Sequence, residues 1–139
     1  MRSIVVPRYP WWAARTLVLA ALSACAASVP ALPEEYLGRW YYLGSSGGIT
    51  GDGMGDEALG YIVIHSNSRM DHHEEGGTLV GTTEFTVGRG RTIFSSEDQW
   101  ILSRDQSVAE VIAVSEDGQT MSLAENVYDG FARAYARSR

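Results

Sequence analysis

The groups best suited to chemistry in this chain are imidazoles, carboxylates and a single thiol. All three histidines fall in one stretch, with His65 followed closely by Asp71-His72-His73-Glu74-Glu75. Imidazole and carboxylate are competent ligands for zinc, nickel or copper, and a site needs three or four of them to converge. In an extended chain His72 and His73 point to opposite faces, so at most one of them joins a given site. His72 with Glu74, or His73 with Glu75, would share a face, and His65 would approach if the segment folds back. The candidate metal ligands are therefore His65, His72, His73 and Glu75. The competing reading is a solvated turn ahead of Gly76-Gly77, because no recognised metal-binding spacing is present.

Two further segments carry polar groups. The stretch from Gly44 to Leu59 contains six glycines with Asp52, Asp56 and Glu57. Oxygen ligands of this kind suit Ca²⁺, but the spacing departs from the calcium-loop pattern, which favours an acidic lid. A connection of this length inside a small domain is usually functional or disordered. Gly88-Arg89-Gly90-Arg91 would suit a phosphate, and equally an exposed hairpin turn, which is the preferred reading. No Gly-x-Ser-x-Gly elbow is present, and no nucleophile stands beside the histidines. The sequence indicates neither an enzyme nor a cofactor.

The elements that would hold these groups are strands. Apolar and β-branched runs flanked by Gly, Asp, Asn or Ser occur at residues 39–43, 60–66, 78–87, 91–95, 99–103, 108–115, 120–125 and 131–137. No window shows a helical apolar period. Gly88-Arg89-Gly90 and Glu116-Asp117-Gly118-Gln119 read as tight hairpin turns. In Thr78 to Val87, Leu79, Thr83, Phe85 and Val87 share one face, with Thr82, Glu84 and Thr86 on the other. The expected fold is all-β, a small antiparallel up-and-down β-barrel of about eight strands, since closure removes exposed edges. A β-sandwich is the structural alternative.

The amino-terminal segment has a different character. Arg2, Arg8 and Arg15 precede or interrupt it, no acid is present, and Thr16 to Ala24 is apolar. That run is too short to span a bilayer, which takes about 20 residues, and it suits the apolar region of a signal peptide. Leu22-Ser23-Ala24-Cys25 resembles the lipobox of bacterial lipoproteins. The resemblance implies cleavage before Cys25 and acylation of its sulfur and amino group by chains such as palmitate. Several acyl chains anchor stably where one does not. With Ala26 after the cysteine, the family rule points to the outer membrane, facing the periplasm. Ordinary secretion is the alternative, since Ala24-Cys25-Ala26 and Val29-Pro30-Ala31 both end in small residues. The expected organisation is a signal peptide at 1–24, an acylated cysteine and tether at 25–32, and one domain at 33–139. Residues 25–139 carry eight arginines against 17 acids, a formal charge of −9. Such a field disfavours nucleic acid and would attract a basic protein.

Leu37-Gly38-Arg39-Trp40 after a short turn resembles the Gly-x-Trp signature of lipocalins and their bacterial lipocalin-like relatives. Gly60-Tyr61-Ile62-Val63-Ile64 with Ser68-Arg69-Met70 is similar to their second-strand region, and a final strand bearing Arg133 and Arg137 also fits. The resemblance implies a barrel closed at one end, with Gly38, Trp40 and one of Arg133 or Arg137 closing the floor, and with Gly44 to Leu59 overhanging the mouth. Alternate aromatics would line any cavity, with Tyr42, Tyr61, Phe85 and Trp100 as candidate ligand contacts; equally, they would simply fill the core. Three readings follow. The first is a lipid-anchored envelope protein holding a small apolar ligand. The second is a filled barrel whose acidic loops dock a basic envelope partner. The third is a weak metal binder through His65, His72 and His73.

Overall fold

The computed structural model describes residues 28–47 and 60–138. The lipobox residues Leu22, Ser23, Ala24 and Cys25 lie outside the described residues. So do Asp52, Asp56 and Glu57, together with most of the proposed Gly44 to Leu59 lid. After a 3-10 turn at Glu34–Tyr36 come nine strands. They are β1 Gly38–Gly47, β2 Tyr61–His65, β3 Arg69–His73, β4 Leu79–Glu84 and β5 Thr86–Gly90, then β6 Gln99–Ser103, β7 Glu110–Val114, β8 Thr120–Glu125 and β9 Phe131–Ala136. The chain is all-β, as its composition of short Val-, Ile- and Thr-rich runs leads one to expect.

The strands form one antiparallel sheet in the order β4-β3-β2-β1-β9-β8-β7-β6-β5. First and last strands pair with each other, and the two strands at the ends of the order are separated in the chain by Phe85 alone. The sheet therefore curls until its ends are joined by backbone, the form of a small up-and-down barrel with eight continuous staves. The stave from Leu79 to Gly90 pairs with β3 along its first half and with β6 along its second. Partners run Gly38, Ile64, Met70 and Thr83 one way around. They run Ser45, Arg133, Leu123, Ile112, Trp100 and Arg89 the other way. The two walks reach the shared stave at different heights, which is the stagger that tilted barrel strands require.

Period-two alternation sends Trp40, Ile62, Ile64, Leu102, Ile112 and Leu123 inward, and all six are essentially inaccessible to solvent. The floor is made at the start of β1. Trp40 donates its indole N–H to the Tyr36 carbonyl at 2.9 Å, and the Arg137 guanidinium lies 3.7 Å above the Trp40 ring. Arg137 also donates to the carbonyls of Leu37 and Glu35, each at 2.6 Å. Gly38 permits this approach: its φ is +93°, and a Cβ there would stand 3.3 Å from Arg137 Nη1. Of the two basic candidates for the floor, Arg137 takes the role and Arg133 points elsewhere.

The expected strands at 99–103 and 120–125 form with those bounds. Three expectations are corrected. Gly88-Arg89-Gly90 is not a turn but the end of β5, paired with Ile101, Trp100 and Gln99. Arg89 lies 4.9 Å over the Trp100 ring and donates to the Asp98 carbonyl at 2.9 Å, so these contacts extend the strand. Residues 91–95 are not a strand; they belong to a connection that crosses the outer wall, where the Ile93 N–H bonds Asn126 Oδ1 at 2.9 Å. Val111, which alternation places on that wall, is buried. Finally, Asp71, His72 and His73 lie in a strand rather than a solvated turn, paired with Val63, Ile62 and Tyr61. Met70 anchors that strand in the core.

Arg137→Gln removes a cation–π contact of about 0.5–2 kcal/mol and two charge-assisted hydrogen bonds. It should lower unfolding stability by about 2–3 kcal/mol in urea titrations, while exposed Arg91→Gln should leave it unchanged.

Candidate functional site

Charged side chains enter the barrel interior at one level, around Glu110 on β7. Alternation turns Glu110 inward with Ile112, and it is 3% exposed. A carboxylate so buried requires paired charge and hydrogen bonds. Arg133, from β9, donates Nη1–H to Glu110 Oε1 at 3.1 Å. Arg104, just past β6, sets Nη2 against the other oxygen, Oε2. The two arginine side chains remain 26% and 27% exposed, so solvent reaches both. Burial and the neighbouring Arg133 charge push the Arg104 pKa down.

Two neighbours complete the level. His72 turns inward from β3, with Nε2 3.1 Å from Thr83 Oγ1. Burial, reinforced by the positive charges of Arg104 and Arg133, holds its pKa below the ordinary imidazole value and favours the neutral ring. Glu125 accepts the Phe131 backbone N–H at 3.0 Å, tying down the β8–β9 connection. Tyr42 and Tyr135 meet edge to face at 5.7 Å within the same interior.

The four aromatic candidates separate. Tyr42, Phe85 and Trp100 belong to the core or pack against it, with Trp100 touching the edge of Tyr36 near the floor. Tyr61 points outward, stacked on His73 at 4.6 Å and covered by Arg39 at 4.5 Å. Its ring is thus covered by side chains of the chain itself.

The histidines separate too. His72 is inside, while His65 and His73 are outside at opposite ends of the β2–β3 ladder. His73 Nδ1 lies 3.1 Å from the Gly77 carbonyl, and Glu75 is exposed in the following turn. Among the described residues no three His, Cys, Asp or Glu side chains converge as a metal site would need. The reason is alternation: one residue along a strand changes the face.

His65 instead bonds Asp71, with Nε2 2.8 Å from Oδ2. Arg69 Nη2 reaches the same oxygen at 3.1 Å and Thr82 donates to Oδ1 at 2.7 Å. These bonds, led by that from Thr82, hold the Asp71 carboxyl at about 2. Sequence reading missed Asp71, Arg104 and Glu110 as paired groups. The readable signal was Glu110 itself, an acid inside the apolar run Val108 to Val114.

Two of the cavities formed by the described residues lie at the wall. One of about 310 Å³, on the outer face, is lined by Ile93, Phe94, Ala124, Val127, Tyr128 and Phe131 among others. The other, about 190 Å³, opens beside Phe85 and Arg104 where the Leu79–Gly90 stave changes partner. Comparison of the chain with family models, curated proteins and solved structures gives no match.

The Asp71 cluster makes a pH prediction. A folded-state pKa below the unfolded value gives stability that is present above about pH 4 and lost as pH falls through about 2. Asp71→Asn should lower Tm near neutral pH and flatten its decline between pH 4 and 2. Parallel acid limbs for the two proteins in melting curves would refute this account.

Proposed function

We propose that this chain is a lipid-anchored cell-envelope protein whose lipocalin-like barrel holds a small, largely apolar molecule. The observation that carries the reading is the floor. The Gly-x-Trp resemblance implies a late arginine over the tryptophan, and Arg137 lies 3.7 Å from the Trp40 ring with Gly38 at positive φ. A 3-10 turn plugs the same end through Tyr36. Support for a cargo comes from the other end of the interior, where charged groups remain in reach of solvent instead of giving way to a fully apolar core. The lipobox at Leu22 to Cys25 and the apolar run before it support the anchor and the envelope location.

A filled barrel that docks a basic partner is the second reading. The tightly buried lower interior favours it, as does the apolar cavity on the outer wall beside Asp129.

Native mass spectrometry of the protein extracted from envelopes separates the two. A small-molecule mass that survives desalting and leaves on denaturation is expected; a bare protein mass, even after incubation with envelope lipid extract, would turn the assignment to a protein partner. Cys25→Ser should move the protein from the membrane to the soluble fraction and abolish incorporation of labelled palmitate. Retention in the membrane by the variant would reject the anchor.

A further inference from the structure

Resting on the barrel-as-carrier reading, we infer that the cargo bears one carboxylate head, docked inward on the Arg133 and Arg104 guanidinium groups above Glu110. The inference begins with charge. The chain is acidic overall, with a formal charge of −6, yet the interior concentrates two cations around one buried carboxylate. Each guanidinium carries five N–H donors in a planar fork. Among the described residues each is bonded only to Glu110, which leaves both forks with donors to offer. Carboxylate is the shape that fork fits, two parallel N–H···O bonds at once.

The facing groups agree. His72, at the same level, is held toward its neutral form by burial and by the arginines themselves, with Nε2 facing Thr83. Glu125, the other acid on this wall, is occupied with the Phe131 N–H. Leu102, paired with Glu110, and Ile112 and Leu123, the next inward residues toward the floor on β7 and β8, are 1–2% exposed and fill the section. An alkyl tail cannot pass below the arginines. The head therefore sits deepest and the tail runs back toward the rim, which limits a fully sheltered tail to a short chain.

Glu110 acts in this arrangement as a positioning residue. It holds both guanidinium groups inside an otherwise apolar wall, and it competes with the ligand for their donors. Neutralising it should therefore strengthen anion binding, an effect that a purely structural ion-pair network would not produce.

Calorimetry on the intact lipidated protein in nanodiscs tests this, with hexanoate, hexanol and hexylamine as probes and empty nanodiscs as the blank. Hexanoate should bind about tenfold or more tighter than hexanol, the worth of one charge-assisted bidentate contact, and hexylamine weakest. Glu110→Gln should tighten hexanoate severalfold without affecting hexanol. Arg133→Gln should erase the preference for hexanoate. Because that variant strands a buried carboxylate, Arg133→Gln with Glu110→Gln serves beside it, with folding checked by circular dichroism. Equal binding of hexanoate and hexanol would overturn the carboxylate head while leaving the carrier reading standing. So would a folded Glu110→Gln protein that binds hexanoate more weakly. Failure of all three probes to bind would overturn both.

Discussion

Arg137 closes this molecule. Its guanidinium covers Trp40 and binds the carbonyls of Leu37 and Glu35, residues a hundred positions earlier in the chain. That clamp ties the end of the last strand to the segment that leads into the first, beside the β1–β9 ladder. The other closure needs no clamp, because β4 and β5 are one stave. A sheet with only the covalent junction would be an open meander with two long free edges, a liability for any β protein. The β1–β9 pairing, with the Arg137 clamp at its end, therefore decides whether the alternating side chains face a shared interior or solvent.

Once closed, the ring makes every inward position matter, and this explains both what sequence revealed and what it concealed. Strands β6 and β8 are legible because their apolar residues alternate and their flanks carry turn residues: Trp100 and Leu102 inside, Met121 and Leu123 inside. Strand β3 is illegible because only Met70 obeys the rule. Its other residues are polar, and each is satisfied in a way that needs the neighbouring strands to be present first: Asp71 by Thr82 and His65, His72 by Thr83, His73 by Tyr61. Local composition read these residues as a solvated cluster; tertiary pairing makes them a strand. The glycines of β5 mislead for a related reason. Gly88 and Gly90 suggest a turn, but they take outward positions while Arg89 stacks on Trp100.

The candidate metal set shows how strict the face rule is. His65 and His73 share the outer face but sit at opposite ends of the β2–β3 ladder, and His72 looks the other way. Clustering in sequence is diluted as soon as the chain is extended. Convergence in the interior arises instead from residues far apart in sequence, Arg104, Glu110 and Arg133, brought together because β6, β7 and β9 curve around one axis. No spacing motif connects them, so only the assembled barrel makes the group visible. The floor residues Gly38, Trp40 and Arg137 were easier to recognise because their geometry is local at two of the three positions.

The cost of the interior charges gives them meaning. A carboxylate 3% exposed bears a desolvation penalty of several kcal/mol before any partner is counted. Two arginines offset it, but an apolar side chain at position 110 would pack the same wall, beside Leu102 and Ile112, without the penalty. Stability alone thus does not favour the trio over a hydrophobic replacement. What the trio supplies, and an apolar residue cannot, is a pair of guanidinium groups fixed in orientation and still open to solvent. Toward the floor from them the barrel is packed like any core. The change of character at Glu110 marks where the apolar core around Trp40 and its neighbours gives way to paired, partly exposed charge.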